Sequence, residues 1–217
     1  MFSAVGCATR PESPHQVPAP LSQAPPGAEL SSVTALAAAI EADSRRSDHE
    51  TDSKIRIELA AEASRDAQAC LEREPEAAAC LYGHAVALGL EVRTHPARAG
   101  ELLNGMLDAL ARAESADPAY DEAGPARVRA LVLIRAPGWP LGPGDAEAGL
   151  VAARRAAALK PLYPPNLLTL AEALAKNGDA RGAREYYGMA RDAAQSLAAV
   201  GDRDEWLQEA DQGLRRK

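Results

Sequence analysis

Between residues 164 and 190 the apolar positions fall into two helical stripes. Leu167, Leu170, Ala171 and Leu174 share one face of a first helix. Asn177-Gly178-Asp179 interrupts it: glycine supplies the positive φ of a C-cap, and aspartate caps the helix that follows. Ala183, Tyr187 and Ala190 then lie on one face of a second helix, small positions opposite large ones, which predicts a close antiparallel pair. The same periodicity runs upstream. Residues 30–43 predict a helix with Ser31 or Ser32 as N-cap and Leu36 and Ile40 on one face. The polar stretch 44–53 predicts a loop. Residues 55–73 predict the next helix, with Leu59, Ala63, Ala67 and Cys70 aligned, and Glu74-Pro75 ends it. Another begins at Ala77 and runs to Val92. The second helix of the 164–190 pair continues to about Ala199, and residues 202–214 predict a terminal helix with Trp206 and Leu207 facing inward.

A longer period is also present. Pro75, Pro118 and Pro161 each follow an alanine-rich helix and are equally spaced, and Leu88 aligns with Leu131, Leu107 with Leu150, and Ala113 with Ala156. Leu170, Ala171, Gly178, Ala183, Tyr187 and Ala190 resemble the tetratricopeptide (TPR) pattern, whose usual repeat is about 34 residues. The two upstream units are longer, with extra residues between their helices at 93–100 and 136–144. The resemblance implies an all-α, TPR-like antiparallel helix-pair solenoid of about three pairs with flanking N- and C-terminal helices, a fold that serves as a binding scaffold. Asp117-Pro118, Tyr120-Asp121, Gly124-Pro125, Arg135-Ala136-Pro137 and Gly144-Asp145 further resemble the T component associated with TRAP transporters. That family of exported helical lipoproteins engages a periplasmic solute-binding protein, which the resemblance implies as the partner here.

The N-terminus changes the picture. Ala4-Val5-Gly6-Cys7 resembles a bacterial lipobox, in which small residues precede a cysteine that is lipidated, although Ala4 stands where leucine is usual and no Lys or Arg precedes it. Residues 8–29 carry Pro11, Pro14, Pro18, Pro20, Pro25 and Pro26 with almost no bulky apolar side chain, which predicts an extended tether. The expected organisation is a truncated signal and lipobox at 1–7, a tether at 8–29 and a helical domain at 30–217. Ala8 is not the aspartate associated with inner-membrane retention, so the expected address is the periplasm, on the outer membrane, with the lipid as the only membrane contact. The alternatives are a periplasmic helical protein that binds a small ligand in a pocket between its helices and the loop around Trp139, and a cytosolic TPR adaptor with a chance cysteine.

Composition narrows the function. The chain has 217 residues, 47% of them hydrophobic but only 4% aromatic, as expected of alanine-rich helices packed at short range. A net charge of −7 argues against general nucleic-acid binding and leaves room for a basic partner or a cationic ligand. No run of 18 apolar residues appears. No nucleophile elbow, Walker loop, zinc-protease motif or dinucleotide turn is present. The four histidines are scattered and no Cys/His cluster has zinc spacing, so neither an enzyme, a metal nor a cofactor is expected.

Cys70 and Cys80 stand five residues on either side of Pro75. With Pro75 at an antiparallel turn they reach the same height, which predicts a disulfide if the chain is exported and two buried thiols if it is not. The loop 135–145 sets Trp139 and Leu141 among Pro137, Pro140 and Pro143 and three glycines. Two readings stand: a stiff loop presenting an aromatic residue to a partner, or Trp139 folded back to plug the space left by the longer helices. Arg135 and Asp145 bracket this loop, placed for an ion pair across its base. Tyr120, Tyr163 and Asn166 are candidates for a concave binding groove, and Tyr187 for the core.

Overall fold

Short polar side chains start four of the helices. Ser32 accepts a hydrogen bond from the Ala35 N–H at 3.0 Å, Asp52 from Lys54 at 2.8 Å, Asp145 from Ala148 at 2.9 Å and Asp179 from Gly182 at 2.8 Å. Each satisfies an amide the helix itself leaves unpaired. The computed structural model describes residues 32–198 and 201–216. The lipobox with Cys7 and the proline-rich tether lie outside the described residues. Among the described residues there are nine α-helices and no strand: α1 Val33–His49, α2 Ser53–Arg73, α3 Ala78–Thr94, α4 Ala99–Ala116, α5 Tyr120–Arg135, α6 Ala146–Leu159, α7 Pro164–Lys176, α8 Ala180–Ser196 and α9 Arg203–Arg215. None is long and apolar enough to cross a membrane.

The helices pack as α1/α2, α3/α4, α5/α6 and α7/α8, with α9 against α8 and α7. Odd-numbered helices also touch the next odd-numbered helix, from α1 to α3, α3 to α5, α5 to α7 and α7 to α9, and so form an inner layer. Even-numbered helices form the outer layer. This is the TPR-like helix-pair solenoid, and its N-terminal flank is itself a pair. Alanines supply much of the core: Ala60, Ala63 and Ala67 on α2, Ala126 and Ala130 on α5, Ala152, Ala153 and Ala156 on α6 are all buried. A buried methyl contributes little alone, so the array depends on close helix approach and many small contacts. The C-terminal pair adds the larger side chains Leu167, Leu168, Leu170, Leu174 and Tyr187. Gly178 turns the chain between α7 and α8 at φ 85°, a left-handed conformation that glycine adopts without penalty.

Three expectations are corrected. Residues 44–49 are helical, not loop: α1 runs on to His49 because Asp43 and Ser47 extend the buried stripe of Leu36 and Ile40 at helical spacing. These short polar side chains fit where a large one would not. The extra residues of the first long unit are absorbed mostly by α3, which reaches Thr94, and by a single 3-10 turn at Pro96–Arg98. Only the second unit carries a true loop, at residues 136–145. Finally, α8 stops at Ser196. Cys70 and Cys80 are joined in a disulfide, fully buried beneath Val33 and Leu36 of α1.

Candidate binding surfaces

The inner layer leaves a groove of about 450 Å³ between α1, α3 and the start of α5, extending to Tyr163 and Asp202. Its shape begins with a local backbone feature. Asp121, Glu122 and Ala123 have φ values of 46°, 54° and 65°, a left-handed turn at the mouth of α5. The right-handed helix follows, with Pro125 in its first turn, where a missing N–H costs little. Arg127, nearly buried, reaches back over the turn. Its Nη1 donates to the Asp121 and Glu122 carbonyls and to Asn166 Oδ1, each at 3.2 Å, and its Nη2 donates to Asp121 Oδ2 at 2.8 Å. Asn166, fully buried, donates through Nδ2 to the Glu122 carbonyl at 2.9 Å and lies near the Ala156 and Lys160 carbonyls. The two side chains therefore satisfy polar backbone that no regular helix could.

The left-handed turn aims Asp121 across to α3, where Tyr82 donates its phenol to Oδ2 at 2.9 Å. Gly124 makes this possible: a Cβ there would lie 2.6 Å from the Asp121 carboxylate and 2.9 Å from the Tyr82 oxygen. Tyr82 and Tyr120 meet edge to face with centroids 5.5 Å apart. On the far side Tyr163 meets Trp206 in the same way at 5.7 Å, with the Arg127 guanidinium 5.3 Å over the Tyr163 ring. Burial pushes the Tyr120 phenol above its ordinary pKa, and Asp121, Glu41 and Asp117 add to the shift. Burial also raises Tyr163; Arg127 opposes it, while Asp121, Glu122 and Asp202 reinforce it.

Loop 136–145 is a second surface of a different kind. Its backbone is tied down: Gly144 N–H bonds the Pro137 carbonyl at 2.9 Å, Leu141 N–H the Gly138 carbonyl at 3.0 Å and Asp145 N–H the Leu133 carbonyl at 2.9 Å. On this frame Trp139 is 90% exposed and Leu141 80% exposed. The plug reading is overturned by that exposure, and α6 closes on α5 without Trp139, through Gly149 against Ile134. Arg135 and Asp145 do not pair. Arg135 donates from Nε to Glu172 on α7 at 2.9 Å, and Asp145 is spent on capping α6.

Of the residues singled out from the sequence, Tyr120 and Tyr163 line the groove, Asn166 lies beneath it, and Trp139 is on the separate loop. Arg135 opens on a further polar hollow with Glu172, Glu209 and Arg216. Tyr82, Arg127, Asp121 and Asp202 were missed as groove residues. Arg127 carried a weak signal, a cation beside Ala126 and Ala130 with Arg129 close by. Tyr82 and Asp202 carried none, because only the superhelix brings them together. Among the described residues no cluster of three side chains has the make-up of a metal site.

No protein-family profile and no curated protein matches the chain. It is similar to a solved structure, "Crystal structure of MamA protein", at 15% identity over 77% of this chain and 86% of that one, with a TM-score of 0.47. At that identity and score the likeness carries no functional argument.

Proposed function

We propose that the chain is a non-catalytic scaffold that binds a protein partner through the Trp139 loop. The observation that carries this reading is the near-complete exposure of Trp139 and Leu141 on a hydrogen-bonded, proline-rich frame. Such side chains contribute nothing to the core, and a rigid aromatic anchor loses little entropy on binding. A net charge of −7 sets the chain against anionic bilayers, which favours a protein over a lipid surface as the occupant. In the finer reading the scaffold is carried at the outer membrane by a lipid on Cys7 and the proline-rich tether. There it acts as an accessory, T-component-like subunit of a TRAP-type system and engages the solute-binding protein. The resemblance at Asp117-Pro118 through Gly144-Asp145 supports that assignment.

Binding of the full chain to the solute-binding proteins of its own genome tests it, measured by biolayer interferometry. The paired change Trp139→Ser and Leu141→Ser should weaken binding by about thirtyfold or more, as a central anchor does, and should move folding stability by less than about 0.5 kcal/mol. Unchanged affinity in the double variant would remove the loop from the interface. Intact mass after expression behind a complete export signal tests the address: an unmodified Cys7 would end the lipoprotein reading.

A further inference from the structure

We infer that the inner groove is a binding site for an organic cation, an alkylammonium group seated among Tyr82, Tyr120 and Tyr163. The site stands apart from the Trp139 loop, which does not line it, so either can fail without the other. Room comes from small residues, Ala37 and Ala38 on α1 and Ala79 and Gly83 on α3, beside the three tyrosines, with Ile40 and Val86 completing the apolar lining. The groove's volume of about 450 Å³ suits a small amine or the end of a basic side chain. Aromatic faces attract cations, and quaternary ammonium groups are the usual occupants of such walls.

Charge selects the ligand further. Asp121 and Asp202 lie on the groove, and Asp202 makes no capping bond to its own helix α9. Burial is the larger cause of the raised Tyr120 phenol, and the carboxylates of Asp121, Glu41 and Asp117 that add to it favour a positive guest by the same field. Arg127 lies over the Tyr163 ring and opposes the carboxylates there, but it is ion-paired with Asp121, which leaves the charge of Asp202 to draw the guest. Both Nη groups of Arg127 are committed to Asp121, two carbonyls and Asn166. Arg45 is exposed and paired with Glu41. A carboxylate or phosphate would therefore meet carboxylates with neither guanidinium free to answer them. A neutral apolar guest would desolvate Asp202 with nothing in return. The net charge of −7 adds a long-range attraction for cations.

Trp206 reports on the site, since its ring meets Tyr163. With Trp139→Phe in the full chain it is the sole tryptophan, and its fluorescence can be titrated with tetramethylammonium, with choline and with 3,3-dimethylbutan-1-ol, the neutral isostere of choline. The expected result is saturable binding of both ammonium ions, with the alcohol at least about tenfold weaker. Tyr120→Phe should retain that binding, and Tyr120→Ala and Asp202→Asn should each weaken it by about tenfold. A lysine-rich peptide that competes with choline would support the site and assign the cation to a partner's side chain. Equal affinity for choline and the alcohol would overturn the inference. So would no saturation by either ammonium ion at up to about 10 mM, in a protein whose circular dichroism matches that of the parent chain.

Discussion

Three consecutive non-glycine residues in left-handed backbone, Asp121, Glu122 and Ala123, require an explanation, because each costs about 1–2 kcal/mol relative to a right-handed residue. Arg127 and Asn166 supply it by bonding the carbonyls that the turn leaves without helical partners. Arg127→Met keeps most of the packing volume and removes the Arg127 donors, leaving only the Asn166 amide on the Glu122 carbonyl. It should lower stability by about 2 kcal/mol, from the carbonyls and the Asn166 Oδ1 left without a donor, because Asp121 itself stays in water. Urea unfolding at neutral pH measures this; a loss below about 1 kcal/mol would mean the turn is held by Asn166 and packing without Arg127. Little of this was legible in the sequence. Gly124-Pro125 announces a break and Asp121 is a residue that tolerates positive φ, but nothing in Glu122-Ala123 announces it. Asn166 was singled out as a groove residue, and its role as a buried clamp depends on contacts with residues some forty positions away.

At the scale of elements the sequence was far more transparent, because a helix is written by neighbours three and four positions apart. The Ser32 and Asp179 caps, the Gly178 stop and the buried faces of α2 and α7 all follow from local pattern. The failure at residues 44–49 has a simple cause: Asp43 and Ser47 look like surface and are buried. Cys70 and Cys80 were also legible, through their symmetry about Pro75, and their bridge ties the α2–α3 turn beneath α1. Closing a loop with a sequence separation of 10 restricts the unfolded chain by roughly 2–3 kcal/mol. The double change Cys70→Ala and Cys80→Ala should therefore lower the unfolding free energy by about that amount, read as a lower urea midpoint at unchanged slope. Dithiothreitol should act on the parent chain in the same direction and have no effect on the variant. An unchanged midpoint in the variant would mean that packing of α1 on α2 and α3 alone sets the stability of this end.

The whole molecule is a stack in which each helix pair touches only its neighbours, so stability should be distributed along the array and not held in common. The N-terminal end is fastened by the disulfide, the C-terminal end by the fit of α9 against α7 and α8. That fit turns on Gly213: a Cβ there would lie 2.5 Å from the ring of Tyr187, which is 5% exposed and central to the C-terminal core. Neither partner can yield easily, since Gly213 is in a helix and Tyr187 is wedged beside Leu174 and Ala210. Gly213→Val should therefore undock α9 and expose the face of α7 and α8 that it covers. Amide hydrogen exchange should register a loss of protection in α7–α9 and none in α1–α3, which share no contact with α9 beyond an exposed His49–Glu205 approach at 3.9 Å. Local opening of this kind has the free energy of one interface, far below that of the whole stack. Protection lost equally in every helix would show a single cooperative unit, and the nearest-neighbour account of the array would be wrong. A C-terminal loss alone would also place Asp202 and Trp206 on the least stable segment, so that a ligand held between Tyr163 and Asp202 should slow exchange in α9 first.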